Sequence, residues 1–131
     1  MRTSRLILVV ALLAASCQSL QPREARERDT VEHVVLCWLK TPGDASARQR
    51  VIDESKAFLG VIPGLLDVSA GTALPSTRPA VDSSFDVAVV MTFRDEAALR
   101  AYDEHPRHKK AVDEVLRPLV ARLVIYDVSN K

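Results

Sequence analysis

Two cysteines, four glycines and an aromatic content of 5% are little for a chain of 131 residues. Two cysteines cannot build the disulfide framework of a small secreted scaffold, so the fold has to rest on an apolar core. The sparse glycine excludes a glycine-rich phosphate loop and low-complexity tracts, and no internal repeat is present. Neither sign of charge dominates. With 18 basic and 17 acidic residues the formal charge is +1, which leaves no basic footprint for nucleic acid. What is there, 47% hydrophobic and 27% charged residues, is the balance of a folded chain, and the length suits one domain.

Long apolar runs are also scarce. The longest, Leu6 to Ala15, spans ten residues, about half of the ~20 that a membrane-crossing helix needs. Arg2 and Arg5 precede it and the small pair Ala15-Ser16 follows, which predicts a cleaved secretory signal over residues 1–16. Leu13-Ala14-Ala15-Ser16-Cys17 resembles the bacterial lipobox, so Cys17 is expected to be lipidated and to become the first mature residue. Gln18 behind it resembles the pattern sorted to an outer membrane, and the expected location is an exported lipoprotein on its periplasmic face. Loss of Arg2 and Arg5 leaves 16 basic residues against 17 acidic ones. Residues 17–30 read as the lipidated cysteine and a polar tether of mixed charge without period.

Residues 31–131 form the expected domain. Val31 to Lys40 is β-branched and apolar and stops at Thr41-Pro42-Gly43, as a strand does. A helix from Asp44 or Ser46 places Val51, Ile52, Ser55, Phe58, Leu59 and Ile62 on one stripe, ending at Pro63-Gly64. Leu65 to Ala73 is a second strand, Pro75 to Ser84 a loop, and Phe85 to Phe93 the clearest strand. Asp95 is an N-cap for a short helix through Tyr102. Pro106 opens another helix, carrying Val112, Val115, Leu116, Leu119 and Val120, with Pro118 placed to kink its end. Leu123 to Val128 completes the order βαββαβ, an α+β, ferredoxin-like arrangement with helices on one face of the sheet. The second face is apolar too, through Leu36, Trp38 and Val90, and predicts a homodimer in which a partner sheet covers it.

A domain that opens with His33-Val34-Val35-Leu36 and carries Tyr102-Asp103-Glu104-His105-Pro106-Arg107-His108 after such a strand resembles the stress-responsive A/B barrel family, Dabb, of the dimeric α+β barrel superfamily. The resemblance covers Val31 to Val128. It implies a homodimer closed into an α+β barrel and a small apolar pocket that binds a small molecule or serves a stress-related role. It also implies an alternative, since one plant member is a polyketide cyclase without metal or organic cofactor. Tyr102 and His108 match the residues that serve its reaction, and His33 matches its early-strand histidine.

On that reading His108 is the general base and Tyr102 the hydrogen-bond donor for proton transfer on a carbonyl substrate. Near a helix start, His108 is expected to stay neutral. The plainer reading is that both residues hydrogen-bond across the helix junction and fix it. His33 and His105 are expected at the pocket, although a core role suits His33 and a cap suits His105. Pro106 interrupts the helix that would pair His105 with His108 on a metal, so no metal site is expected, and the resemblance to the cofactor-free cyclase implies no cofactor. Haem-related chemistry, known in other families of the superfamily, is a third reading and requires a much larger cavity. Cys37 reads as packing, and Arg107, Lys109 and Lys110 as a solvated helix start.

Overall fold

A computed structural model of the chain describes residues 29–130; the signal, Cys17 and most of the tether lie outside the described residues. Strand β1 (Val31–Leu39) is followed by α1 (Ala45–Lys56), β2 (Leu65–Gly71), β3 (Val87–Phe93), α2 (Glu96–Glu104) and α3 (Pro106–Ala111). A π-helical turn (Val112–Leu116) and a last α-turn (Arg117–Leu119) lead into β4 (Val120–Ser129). The four strands form one antiparallel sheet in the order β2-β3-β1-β4. This is the ferredoxin-like arrangement, with the helices on one face.

Alternation along β1 decides the layers. Val31, His33, Val35, Cys37 and Leu39 are buried, whereas Glu32, Val34, Leu36 and Trp38 are half-buried. Register carries this pattern into β3, where Val87, Val89, Met91 and Phe93 share the buried face. Val51, Ile52, Phe58, Ile62, Leu99, Tyr102, Ala111 and Val115 close over it. Burial of that apolar surface, at roughly 25 cal/mol per Å², is the main force holding sheet and helices together.

On the opposite face Val34 pairs with Val90 and Tyr126, and Leu36 with Ala88 and Val124, as one apolar band. At the edge, β4 reaches beyond the helices, so Leu123 and Ile125 on the helix side are exposed as well as Tyr126 and Val128 on the other.

Several boundaries differ from the sequence expectation. The first helix ends at Lys56 rather than at Pro63-Gly64, and a chain of tight turns follows, with Gly60 at φ 79°. Phe58 and Ile62 still reach the core, but Leu59 points out and is exposed. Strand β3 begins at Val87 because Asp86 turns its carboxylate back to the end of β1. The kink expected at Pro118 appears one turn earlier as the π-helical turn, where the Arg117 N–H donates to the Val112 carbonyl. Proline has no N–H and crowds the carbonyl four residues back, and the wider turn accommodates both.

Gly64 fixes how close β2 comes to α2. Its φ is +81°, and a Cβ there would lie 2.6 Å from Ala98 Cβ. Any larger residue would push α2 away from the sheet.

Candidate ligand-binding site

The site lies between the buried sheet face and the helices α1, α2 and α3. Asp95 starts α2 by accepting from the Ala98 N–H at 2.7 Å, which satisfies a first-turn donor. Two turns later α2 presents Tyr102 to the core. His105 is extended (φ −68°, ψ 132°) ahead of Pro106, and its Nδ1 accepts from the Arg107 N–H at 3.1 Å. The chain is thereby turned so that α3 starts beside Tyr102 and lays His108 against it.

The two rings stack with centroids 4.1 Å apart and planes 32° from parallel. Phe58 stands edge-on to both, at 5.7 Å from Tyr102 and 6.3 Å from His108. These side chains border a cavity of about 30 Å³ together with Met91, Cys37 and Glu54. A space of that size holds about one water molecule.

Electrostatics follow from this packing. Burial lowers the pKa of His108, more than the Asp103 carbonyl and carboxylate raise it. Desolvation therefore does what the sequence reading ascribed to the helix dipole, and the neutral imidazole is favoured. His108 Nδ1 lies 3.3 Å from the Asp103 carbonyl oxygen, which can only accept. The proton then sits on Nδ1, and Nε2 carries a free lone pair. Burial raises the Tyr102 phenol, with the Asp103 charge adding to the effect, so it stays a donor at any physiological pH. No hydrogen bond ties the Tyr102 hydroxyl to another described residue. Ring packing holds Tyr102, and the plainer expectation of hydrogen bonds across the junction applies to His108 alone.

Two expected pocket residues sit elsewhere. His33 is buried beneath Tyr102, ring centroids 5.7 Å apart, and its Nδ1 donates to Asp127 Oδ1 at 2.7 Å. It supports the Tyr102 ring from the sheet side and does not line the cavity. His105 is spent on the α3 cap and does not line it either. Arg107 also departs from expectation. It is not a solvated residue: its guanidinium pairs with Glu54 across the roof of the cavity and lies 5.2 Å over the Phe58 ring.

Lys109 and Lys110 do face solvent, beside Glu104 and Glu114. Cys37 is buried on the cavity wall, and desolvation pushes its thiol up to about 11, which leaves it an inert packing group. Among the described residues no cluster of three or more His, Cys, Asp or Glu side chains is arranged to hold a metal ion. Among them, too, no helix is long and apolar enough to cross a membrane.

The sequence reading missed Glu54 and Asp86. Asp86 accepts from the backbone N–H groups of Leu39 and Gly43, both at 2.9 Å, and from Arg48 at 2.9 Å. Burial pushes its carboxyl up, but these donors outweigh it and hold the pKa below the usual carboxylate range. An acid embedded in Phe85-Asp86-Val87 was the available signal, since a charge next to an apolar strand needs partners.

Residues 31–130 match the family described as the stress responsive A/B barrel domain, Dabb. A Dabb family protein of ferredoxin-like fold from Mesorhizobium loti MAFF303099 superposes with a TM-score of 0.61 at 25% identity, over 76% of this chain and 94% of its own. A dimeric ferredoxin-like protein of unknown function from Thermobifida fusca YX gives 0.61 at 24% identity, over 76% and 90%. A hydroxynitrile lyase from Passiflora edulis gives 0.64 at 19% identity, over 79% and 95%. No curated protein matches the sequence significantly. The match over residues 31–130 and the shared sheet topology make this chain a member of the stress responsive A/B barrel domain family.

Proposed function

We propose that the domain binds a small apolar or carbonyl-bearing molecule in the cavity beside Tyr102 and His108. The observation that carries this reading is the pairing of a phenol hydroxyl that bonds no described residue with an imidazole whose Nε2 is free, both on a hollow whose other polar lining comes from Glu54 and Ser55 alone. Among the described residues no fully buried side-chain polar atom lacks a partner, so both groups reach solvent and are open to a ligand that exchanges their water contacts for hydrogen bonds. The cavity as it stands takes one water, so a ligand enters by moving the roof.

A second reading is cofactor-independent proton transfer on a carbonyl substrate, like that of a polyketide cyclase. It is favoured by the depressed His108 pKa, which makes Nε2 a base at neutral pH, and by the Tyr102 hydroxyl as a donor to a developing oxyanion. The Passiflora relative of similar fold is named a lyase. On this reading His108 removes the proton and Tyr102 orients the carbonyl.

The rest of the proposal concerns assembly and place. The apolar band of Val34, Leu36, Val90, Val124 and Tyr126 suits a second copy of the chain, and similar folds are described as dimeric. The signal over residues 1–16 and the lipobox-like run before Cys17 support a lipid-anchored, exported protein.

A screen of small carbonyl compounds tests the binding reading. The readout is the methyl resonance of Met91, which lines the cavity and is the one methionine left after the signal is removed. Binding without turnover supports a binding module. Turnover that His108→Ala abolishes, with the melting temperature kept within a few degrees, supports the enzyme.

A further inference from the structure

We infer that the Glu54–Arg107 ion pair is the gate of the cavity and that the ligand which opens it is a small apolar carboxylate, taken up by Arg107 in place of Glu54. This rests on the binding reading above and names its ligand class. Glu54 comes from α1 and Arg107 from the first turn of α3, so the pair ties together two helices that roof the cavity. Both side chains are half-buried, Glu54 at 23% and Arg107 at 29% exposure.

Glu54 lines the cavity and is the one acidic side chain among its lining residues. Arg107 lies over Phe58, whose ring is edge-on to Tyr102 and His108. A ligand larger than a water has to part α1 from α3, and parting them strands a half-buried guanidinium. Leaving that charge unpaired is costly, so the ligand that best offsets opening is one that replaces the carboxylate it displaces. The flat fork of arginine matches a carboxylate with two parallel hydrogen bonds. The aliphatic and aromatic walls beneath it suit the apolar body of such a molecule. Tyr102, with its free hydroxyl, then lies on the wall that the ligand body would meet.

The test compares benzoate with benzyl alcohol, which is close to it in size but neutral, on the purified mature chain, with Kd read from the Met91 methyl shift. The wild-type chain is expected to bind benzoate at least about tenfold more tightly, the order of a charge-assisted hydrogen bond over a neutral one. Arg107→Gln is expected to erase that preference. Glu54→Gln, which unties the gate and removes the competing carboxylate, is expected to tighten both probes and to tighten benzoate severalfold more than benzyl alcohol. Equal affinity of the wild-type chain for the two probes, or a preference that survives Arg107→Gln, overturns the gate and its ligand class while leaving the pocket in place. A Met91 signal that moves with neither probe overturns both the gate and the binding reading.

Discussion

The imidazole of His108 lies against the phenol ring of Tyr102 at 4.1 Å between centroids, while the Tyr102 hydroxyl bonds no other described residue. The relationship is one of stacking, and with His108 Nδ1 turned to the Asp103 carbonyl it leaves the Tyr102 hydroxyl and His108 Nε2 available. It also ties the charge state of His108 to the packing of the core, because protonation would place a cation beside Tyr102 and Phe58 in a half-buried site.

A pH dependence follows. Burial holds the folded-state pKa of His108 below its ordinary 6.5, so just below pH 6.5 the unfolded chain binds more protons than the folded one. Stability from this group is full above about pH 6.5 and is lost as pH falls through the folded-state value. Proton NMR of the His108 ring is expected to give a midpoint below 6.5, with a melting temperature that drops over the same interval. His108→Gln should flatten that drop; a midpoint above 6.5 would contradict the burial argument.

Asp86 locks the end of β1 to the start of α1 through four donated hydrogen bonds from Leu39, Gly43 and Arg48. Asp86→Ala leaves two backbone N–H groups and a guanidinium without their partner, a loss of about 2–4 kcal/mol. Urea unfolding measures it. A change under about 0.5 kcal/mol, the range of an ordinary surface substitution, would show that water replaces the carboxylate freely.

These two residues illustrate what the sequence could and could not convey. Strands β1 and β3 were legible because alternation along Val31–Leu39 and Val87–Phe93 marks one buried face, and Asp95 and Pro106 marked helix starts by their chemistry. The motif Tyr102 to His108 was legible as a junction. The direction of the His108 shift was right, but its cause is burial, which depends on Phe58 arriving from a distant part of the chain. Glu54 and Arg107 are 53 residues apart, and no local pattern announces a pair that exists only once α1 and α3 share a roof. His33 read as a pocket residue because it is polar on a core face. Its partner Asp127 comes from the far edge strand and draws it away from the cavity.

Dimerisation through the open sheet face is tested at Val90, which lies opposite Val34 in the middle of the apolar band. Trp38 is less suitable, since Arg122 sits 4.2 Å over its ring and would pair with an introduced carboxylate. Val90→Glu places an unpaired charge at the centre of the interface, a penalty of about 3 kcal/mol or more, on the order of a hundredfold in dimer Kd. Light scattering at micromolar concentration is expected to show a dimer for the wild-type domain and a folded monomer for the variant. A wild-type monomer would remove the need for a partner sheet.

Export and anchoring are tested at Cys17. If the mature chain begins there with lipid attached, Cys17→Ser moves the protein from the membrane fraction to the soluble one, because the acyl chains supply the membrane affinity. Intact mass then reads the N-terminus directly. A mature form that lacks Cys17, or carries it unmodified, contradicts the anchor.

The most direct measurement compares the ligands that the Met91 methyl reports in the wild-type chain with their binding to Tyr102→Phe, His108→Ala and the double variant. Tyr102→Phe removes a hydroxyl that bonds no described residue and should leave stability within about 0.5 kcal/mol. Each variant should nonetheless weaken binding severalfold and the double variant by at least about tenfold, since a hydrogen bond to a buried ligand contributes roughly 0.5–1.5 kcal/mol. Ligands that bind the double variant as tightly as the wild-type chain, with all variants folded, would show that Tyr102 and His108 are core residues and that the site lies elsewhere.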